Sequence, residues 1–217
     1  MIRHHPLPEV LADYARGALD ASAMLVVACH IDVCTVCRSE TALWEAIAGE
    51  LLDRYNPGPS MPGALENACA RLDAGGPIGA AQFAALPKYL QRYALPEPLK
   101  SQRPGLRRWA APGVWFAPLR LDAGSSGRSY LVYARAGLVM PQHTHAGREF
   151  TLVLHGSFHD DIGTFAQGDF IETDESVVHA PAVADDGACL CLVSSETPMQ
   201  LESRPARLVQ WLFGSLY

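Results

Sequence analysis

The chain has 217 residues, of which 49% are hydrophobic and 18% charged, so it exceeds one average domain and has the composition of a globular protein. Its formal net charge of −6 excludes broad binding to nucleic acid, whose phosphates need a basic face, but allows contact with a basic protein. No apolar run approaches the ~20 residues that cross a membrane, and Met1-Ile-Arg-His-His-Pro lacks the basic-then-apolar order of a signal peptide, which places the chain in the cytoplasm.

Residues 7–55 are rich in Ala and Leu, with apolar positions three and four apart. Leu7, Val10, Leu11, Tyr14 and Ala18 make one helical face, with Gly17 near its end. Asp20 or Ser22 caps a second helix running to about Asp32. A third helix spans Val36 to Tyr55, with Leu43, Trp44, Ile47, Leu51 and Leu52 directed inward. Pro/Gly clusters at 56–63 and 75–77 bracket two shorter helices, 63–73 and 80–94, and Pro87 restarts the latter. Residues 95–105, with three prolines, read as a stiff connector. Beyond them the segments are short, β-branched or aromatic, and punctuated by Gly. Val114–Leu121, Ser129–Ala134, Phe150–Leu154, Asp169–Thr173, Cys189–Ser194 and Arg207–Phe213 read as strands at sandwich-like or barrel-like intervals. The expected architecture is two domains: an all-α four-helix module over 1–95, a linker over 96–106, and an all-β barrel over 107–217.

In a reducing compartment, closely spaced cysteines read as metal ligands or redox groups before disulfides. His30-Ile-Asp-Val-Cys34-Thr-Val-Cys37 has the form H-x3-C-x2-C. A helix ending there puts His30 and Cys34 on one face, and Cys37 can close on the same ion if the chain bends. That supplies three of the four ligands of a closed zinc site. The fourth must come from elsewhere, and His4 and His5 are the obvious donors; His5, followed by Pro6, is the better of the two. A thioredoxin-like redox pair has no βαβ pattern to support it. Cys29 and Cys69 read as small buried residues. The H-x3-C-x2-C motif, with an upstream His before the first helix of a small four-helix module, resembles the zinc-binding anti-sigma domain of the ChrR type. The resemblance covers about residues 1–95 and implies zinc held by His5, His30, Cys34 and Cys37. It also implies an extracytoplasmic-function sigma factor as partner, blocked from core RNA polymerase.

A second constellation lies in the β-rich half. Gly137, His143, His145, Glu149 and Gly156 fit G-x5-H-x-H-x3-E-x6-G at every fixed position. On a strand, His143 and His145 project to one face, Gly147 permits a turn, and Glu149 points inward from the next strand. This resembles the first cupin motif. The second motif keeps its spacing from Gly168 to His179, although Asp174, Ser176 and Val183 stand where Pro, Gly and Asn are usual. His143, His145, Glu149 and His179 together suit Zn, Mn, Fe or Ni. His155 and His159 read as polar strand or loop residues. Cys189 and Cys191 share one strand face, which either lines the barrel near the metal or packs elsewhere.

The combination resembles a regulator rather than an enzyme: a ChrR-type anti-sigma factor whose helical zinc domain grips the sigma factor and whose cupin senses an oxidative signal. Trp44, Leu51, Leu52, Leu90 and Tyr93 are candidate contact positions, and residues 95–105 the place for the element the signal biases. The alternative is a metal-dependent cupin dioxygenase or isomerase with a helical appendage, which leaves the H-x3-C-x2-C motif without a role. A DNA-binding regulator conflicts with the acidic balance. The sequence leaves open whether two barrels pair as a homodimer.

Overall fold

The computed structural model describes residues 1–55, 58, 60–74, 86–121 and 127–201. Its helices are α1 (Pro8–Ala15), α2 (Ala21–Val33), α3 (Thr35–Arg54), α4 (Ala64–Ala74) and the single turn α5 (Glu97–Lys100). Pro8 opens α1, where a missing N–H is harmless. Asp20 caps α2 by accepting from the Ser22 amide at 2.9 Å. Only Cys34 separates α2 from α3, and its extended backbone turns the chain by 118°. Among the described residues no single helix is long and apolar enough to cross a membrane.

α2 is buried on several sides at once, through Leu25, Val26, Val27, Cys29 and His30. α3 departs from the expected pattern. Only Cys37 and Thr41 are buried and Trp44 is half-buried, whereas Leu43, Ile47, Leu51 and Leu52, expected inward, are exposed. From Glu45 to Arg54 every residue is exposed. The reason is length: the core reaches only the first half of α3, and the apolar stripe continues past it. α4 buries nothing, and its Cys69 is exposed rather than buried. Of the helix expected over 80–94, residues 80–85 lie outside the described residues. The remainder forms tight turns, in which Leu90 N donates to Pro87 O and Tyr93 N to Leu90 O. Leu90 is fully buried and so presents no contact surface, whereas Tyr93 is half-buried against the core.

The β-rich half comprises β1 (Arg108–Ala111), β2 (Val114–Leu119), β3 (Arg128–Ala134), β4 (His143–Thr144), β5 (Glu149–His155), β6 (Ser157–Asp160), β7 (Gly163–Ala166), β8 (Phe170–Thr173), β9 (Ala182–Val183), β10 (Cys189–Ser195) and β11 (Gln200–Leu201). Antiparallel pairing gives a six-stranded sheet ordered β1-β2-β3-β10-β5-β8, a three-stranded sheet β7-β6-β9, and the pair β11-β4. The strand expected over 207–213 lies outside the described residues.

Alternation along the large sheet divides the interior in two. On the inner face Phe116, Tyr130, Val153, Cys189, Cys191 and Val193 meet Phe158, Phe165 and Val183 of the smaller sheet. On the outer face Trp115, Leu131, Phe150, Leu152, Leu190 and Leu192 join Val10, Leu11, Val26, Val27, Leu95 and Leu99 in one continuous core. The helical module therefore sits on the back of the barrel, and β10 is buried along its whole length because both its faces are covered. Within 96–106, Leu99 of α5 is buried and Glu97 N donates to Asp32 Oδ2 at 3.0 Å, so the connector is fastened to α2.

Two candidate metal centres

The bend at Cys34 brings the two thiols of H-x3-C-x2-C to one side, and the N-terminal segment delivers the fourth group. Ligand atoms of His5, His30, Cys34 and Cys37 all lie within 4.8 Å of one another. His5 Nδ1 is 3.4 Å from Cys34 Sγ and 3.3 Å from Cys37 Sγ, and His30 Nε2 is 3.3 Å from Cys37 Sγ. Zinc bonds of about 2.0–2.3 Å at tetrahedral angles separate ligand pairs by about 3.5 Å, so these spacings match the edges of such a tetrahedron. His30 Nδ1 donates to the Gly168 carbonyl at 3.0 Å, which fixes the tautomer and leaves Nε2 as the free lone pair. His4 takes no part: its Nδ1 lies 3.1 Å from Asp169 Oδ2. Burial, followed by the neighbouring Cys34, pushes the Cys37 thiol up to about 12. Burial pulls the His30 imidazole down to about 4. Without a cation both groups are neutral at pH 7, and a divalent ion reverses that by drawing off the thiol proton.

The barrel holds a second cluster. His143 on β4, His145 just beyond it, and His179 place their ligand atoms within 4.8 Å of one another. The backbones of His143 and His179 are bridged by reciprocal N–H to C=O bonds of 3.0 Å. His143 Nδ1 donates to Pro141 O at 2.8 Å and His179 Nδ1 to Asp160 Oδ2 at 2.9 Å. Both Nε2 atoms thus carry the lone pair, and that of His179 is buried without a hydrogen-bond partner. His145 Nε2 lies 3.2 Å from Glu149 Oε2, at an angle that makes no hydrogen bond. Orphaned imidazole nitrogens aimed at one another fit a cation, since burying them without a partner is otherwise costly. Glu149 stands beside the trio, held by Tyr130 Oη at 3.3 Å and Thr151 Oγ1 at 3.4 Å. Burial pushes its carboxyl up to about 8 and pulls His143 and His145 down to about 4 and 3, the latter aided by its two histidine neighbours.

These groups line a pocket of about 100 Å³ with Phe116, Met140, Met199, Cys189 and Cys191. The two thiols therefore face the cluster side of β10, with sulfurs 3.6 Å apart, and the hydrogen bond with Cys189, followed by burial, holds Cys191 well above its ordinary pKa. His155 is exposed and makes a tilted ring contact with Tyr93, and His159 is exposed on β6. The departures from the second cupin motif have a local explanation: Asp174 Oδ1 accepts from Ser176 N at 2.9 Å and from its hydroxyl, building by side-chain bonding the turn usually left to Pro and Gly. Asp160 and Asp169 escaped the sequence reading. Asp160 sits in an Asp-Asp-Ile-Gly turn whose ordinary role is local capping, and Asp169 directly follows the motif glycine.

The ChrR cupin-like domain family matches residues 106–198. The anti-sigma-E factor ChrR of Cereibacter sphaeroides is 32% identical over 216 residues, covering 98% of both chains. The crystal structure of Rhodobacter sphaeroides SigE in complex with the anti-sigma ChrR superposes with a TM-score of 0.73 at 30% identity, over 90% of this chain and 99% of that one. With full-length similarity to a regulator and the same helical region ahead of a cupin-like domain, the chain belongs to the ChrR family of anti-sigma factors.

Proposed function

We propose that this protein sequesters an extracytoplasmic-function sigma factor in the cytoplasm and releases it when an oxidative signal acts at the barrel. The observation that carries the reading is the unpartnered second half of α3. Ten consecutive residues, Glu45 to Arg54, are exposed, and Ile47, Leu51 and Leu52 among them are apolar. A helical stretch of that length has little stability of its own in water, and an exposed apolar stripe calls for a protein partner. The chain's acidity suits a partner that must itself be basic enough to bind promoter DNA.

In this reading His5, His30, Cys34 and Cys37 hold zinc, which would supply folding energy by fixing the α2–α3 bend. The bend in turn sets the direction in which α3 projects. His143, His145, Glu149 and His179 hold a second divalent ion, of zinc, manganese, iron or nickel chemistry. Two thiols and two methionines within the same pocket give an oxidant side chains to modify. A pocket of about 100 Å³ is below the ~300 Å³ at which ligand sites begin, which disfavours the alternative of a cupin dioxygenase or isomerase. Residues 1–95 serve the sigma factor, 107–217 the signal, and 96–106 fasten the one to the other. Pairing of barrels into a homodimer is compatible with this scheme.

Co-expression with an extracytoplasmic-function sigma factor tests it. The expected result is a stoichiometric complex with metal in it, dissolving in strong chelator. Turnover of a small molecule by a chain that forms no such complex would overturn the proposal.

A further inference from the structure

The helical metal cluster is not completed by the helical half alone. Arg3 N and His4 N donate to Asp169 Oδ1 at 2.7 and 3.1 Å, and Asp169 Oδ2 accepts from Ala166 N at 2.9 Å and lies 3.1 Å from His4 Nδ1. Phe170 N donates to His4 O at 3.0 Å, so the segment leading into His5 lies along the start of β8. Gly168, one residue earlier, gives its carbonyl to His30 Nδ1. Its φ of +92° and its bare Cα allow this approach: a Cβ there would come within 2.7 Å of the Ile2 side chain. Asp169 itself is 2% exposed. One turn of the barrel thus grips both the N-terminal segment that presents His5 and the imidazole of His30, and none of its atoms belongs to the cluster.

We propose that the β7–β8 turn, through Asp169 and the Gly168 carbonyl, positions His5 and His30, so that the barrel sets how tightly the helical cluster holds its metal. The inference rests on the reading of those four side chains as a metal site. Groups that orient ligands without touching the metal typically govern affinity by 10–100-fold. Asp169 is therefore a positioning residue. The far end of β8 strengthens the case, because Thr173 pairs with Glu149 in the barrel pocket while Phe170 meets His4. A four-residue strand links the two centres.

The test is cobalt(II) titration of the full chain. Thiolate-to-cobalt charge-transfer absorption arises from a site with bound cysteines, so it reads the helical cluster separately from an imidazole–carboxylate site. Asp169→Ala is expected to weaken cobalt binding at the thiolate site 10–100-fold and to speed its loss to chelator, with barrel binding unchanged. Asp169→Asn, which keeps an acceptor for the two amides, should fall between variant and parent. A folded Asp169→Ala protein with parental thiolate-site affinity and exchange rate would overturn the proposal. If that variant does not fold, His4→Gln carries the same test with an expected weakening of about threefold, and parental affinity there overturns it equally. An absent thiolate band in the parent protein would instead remove the underlying metal-site reading.

Discussion

Truncation of the exposed stripe on α3 separates partner binding from folding. Leu43 and Leu51 lie two turns apart and are 60% and 65% exposed. Fully burying a leucine is worth about 1.5–3 kcal/mol, so covering these fractions gives each about 1–2 kcal/mol of binding free energy. Leu43→Ala or Leu51→Ala should then raise the dissociation constant for the sigma factor about 5- to 30-fold. The two positions are about 12 Å apart along the helix, far enough for the double variant to lose about 2–4 kcal/mol. Neither side chain supports the core, so the free protein's melting temperature should correspond to a change within about 0.5 kcal/mol. Calorimetric titration gives the first quantity and thermal unfolding the second. Unchanged affinity in the double variant would refute the assignment of this face. A large loss of stability in the free chain would refute the claim that nothing packs there.

Four other outcomes follow from the two clusters. His30→Ala or Cys34→Ala should abolish metal binding at the helical site and lower helicity by circular dichroism, since structural zinc contributes to folding directly. His143→Ala or His179→Ala should leave sigma binding intact while blunting release by oxidants, measured as complex remaining after exposure. In the metal-free protein, His30, His143 and His145 have folded values pulled down to about 4, 4 and 3 by burial. A depressed value means stability present above the ordinary 6.5 and lost as pH falls toward 4. At His30 that is worth roughly 3 kcal/mol, read by denaturant unfolding at pH 7 and pH 4.5. Glu149, raised to about 8, acts in the opposite direction, losing its contribution as pH climbs from 4.5 through 8, and three histidines outweigh it on the acid side. Because the Cys37 thiol is pushed up to about 12, metal capture must expel its proton, and apparent affinity should rise at least tenfold per pH unit between pH 7 and 9 by competition titration.

Both clusters were legible because their ligands follow local geometry. Four residues on a helix and two on a strand are fixed spacings, and the barrel strands show as short β-branched or aromatic segments between glycines. Even His5 could be separated from His4 only weakly, since a neighbouring histidine at the same distance from the first helix has the same chemistry. The distinction lies in Asp169, 165 residues from His4, which takes the His4 side chain for itself. Periodicity also failed to say how far a core extends. Leu43, Ile47, Leu51 and Leu52 carry the helical repeat of a buried face, and nothing in the repeat records that the core beneath it ends at Trp44. The same limit hid Leu90, whose burial depends on turns that follow Pro87 rather than on a helix.

The sequence implies two bodies joined by a spacer, and the continuous core between them changes how a signal can travel. β10 shows Cys189, Cys191 and Val193 to the pocket and Leu190 and Leu192 to the helices, while β5 shows Glu149 and Val153 inward and Phe150 and Leu152 outward. A side chain altered in the pocket pushes on a strand whose opposite face is packed against α2. Close-packed interiors transmit such strain instead of absorbing it. α2 carries His30, ends at Cys34 and sets the direction of α3 through the 118° bend. A small tilt of α2 is therefore multiplied along the 20 residues of α3, whose far end is the part that no core restrains. On the proposed function, release of a partner held there would need no unfolding and no swinging linker, only a second packing of α2 against the same sheet.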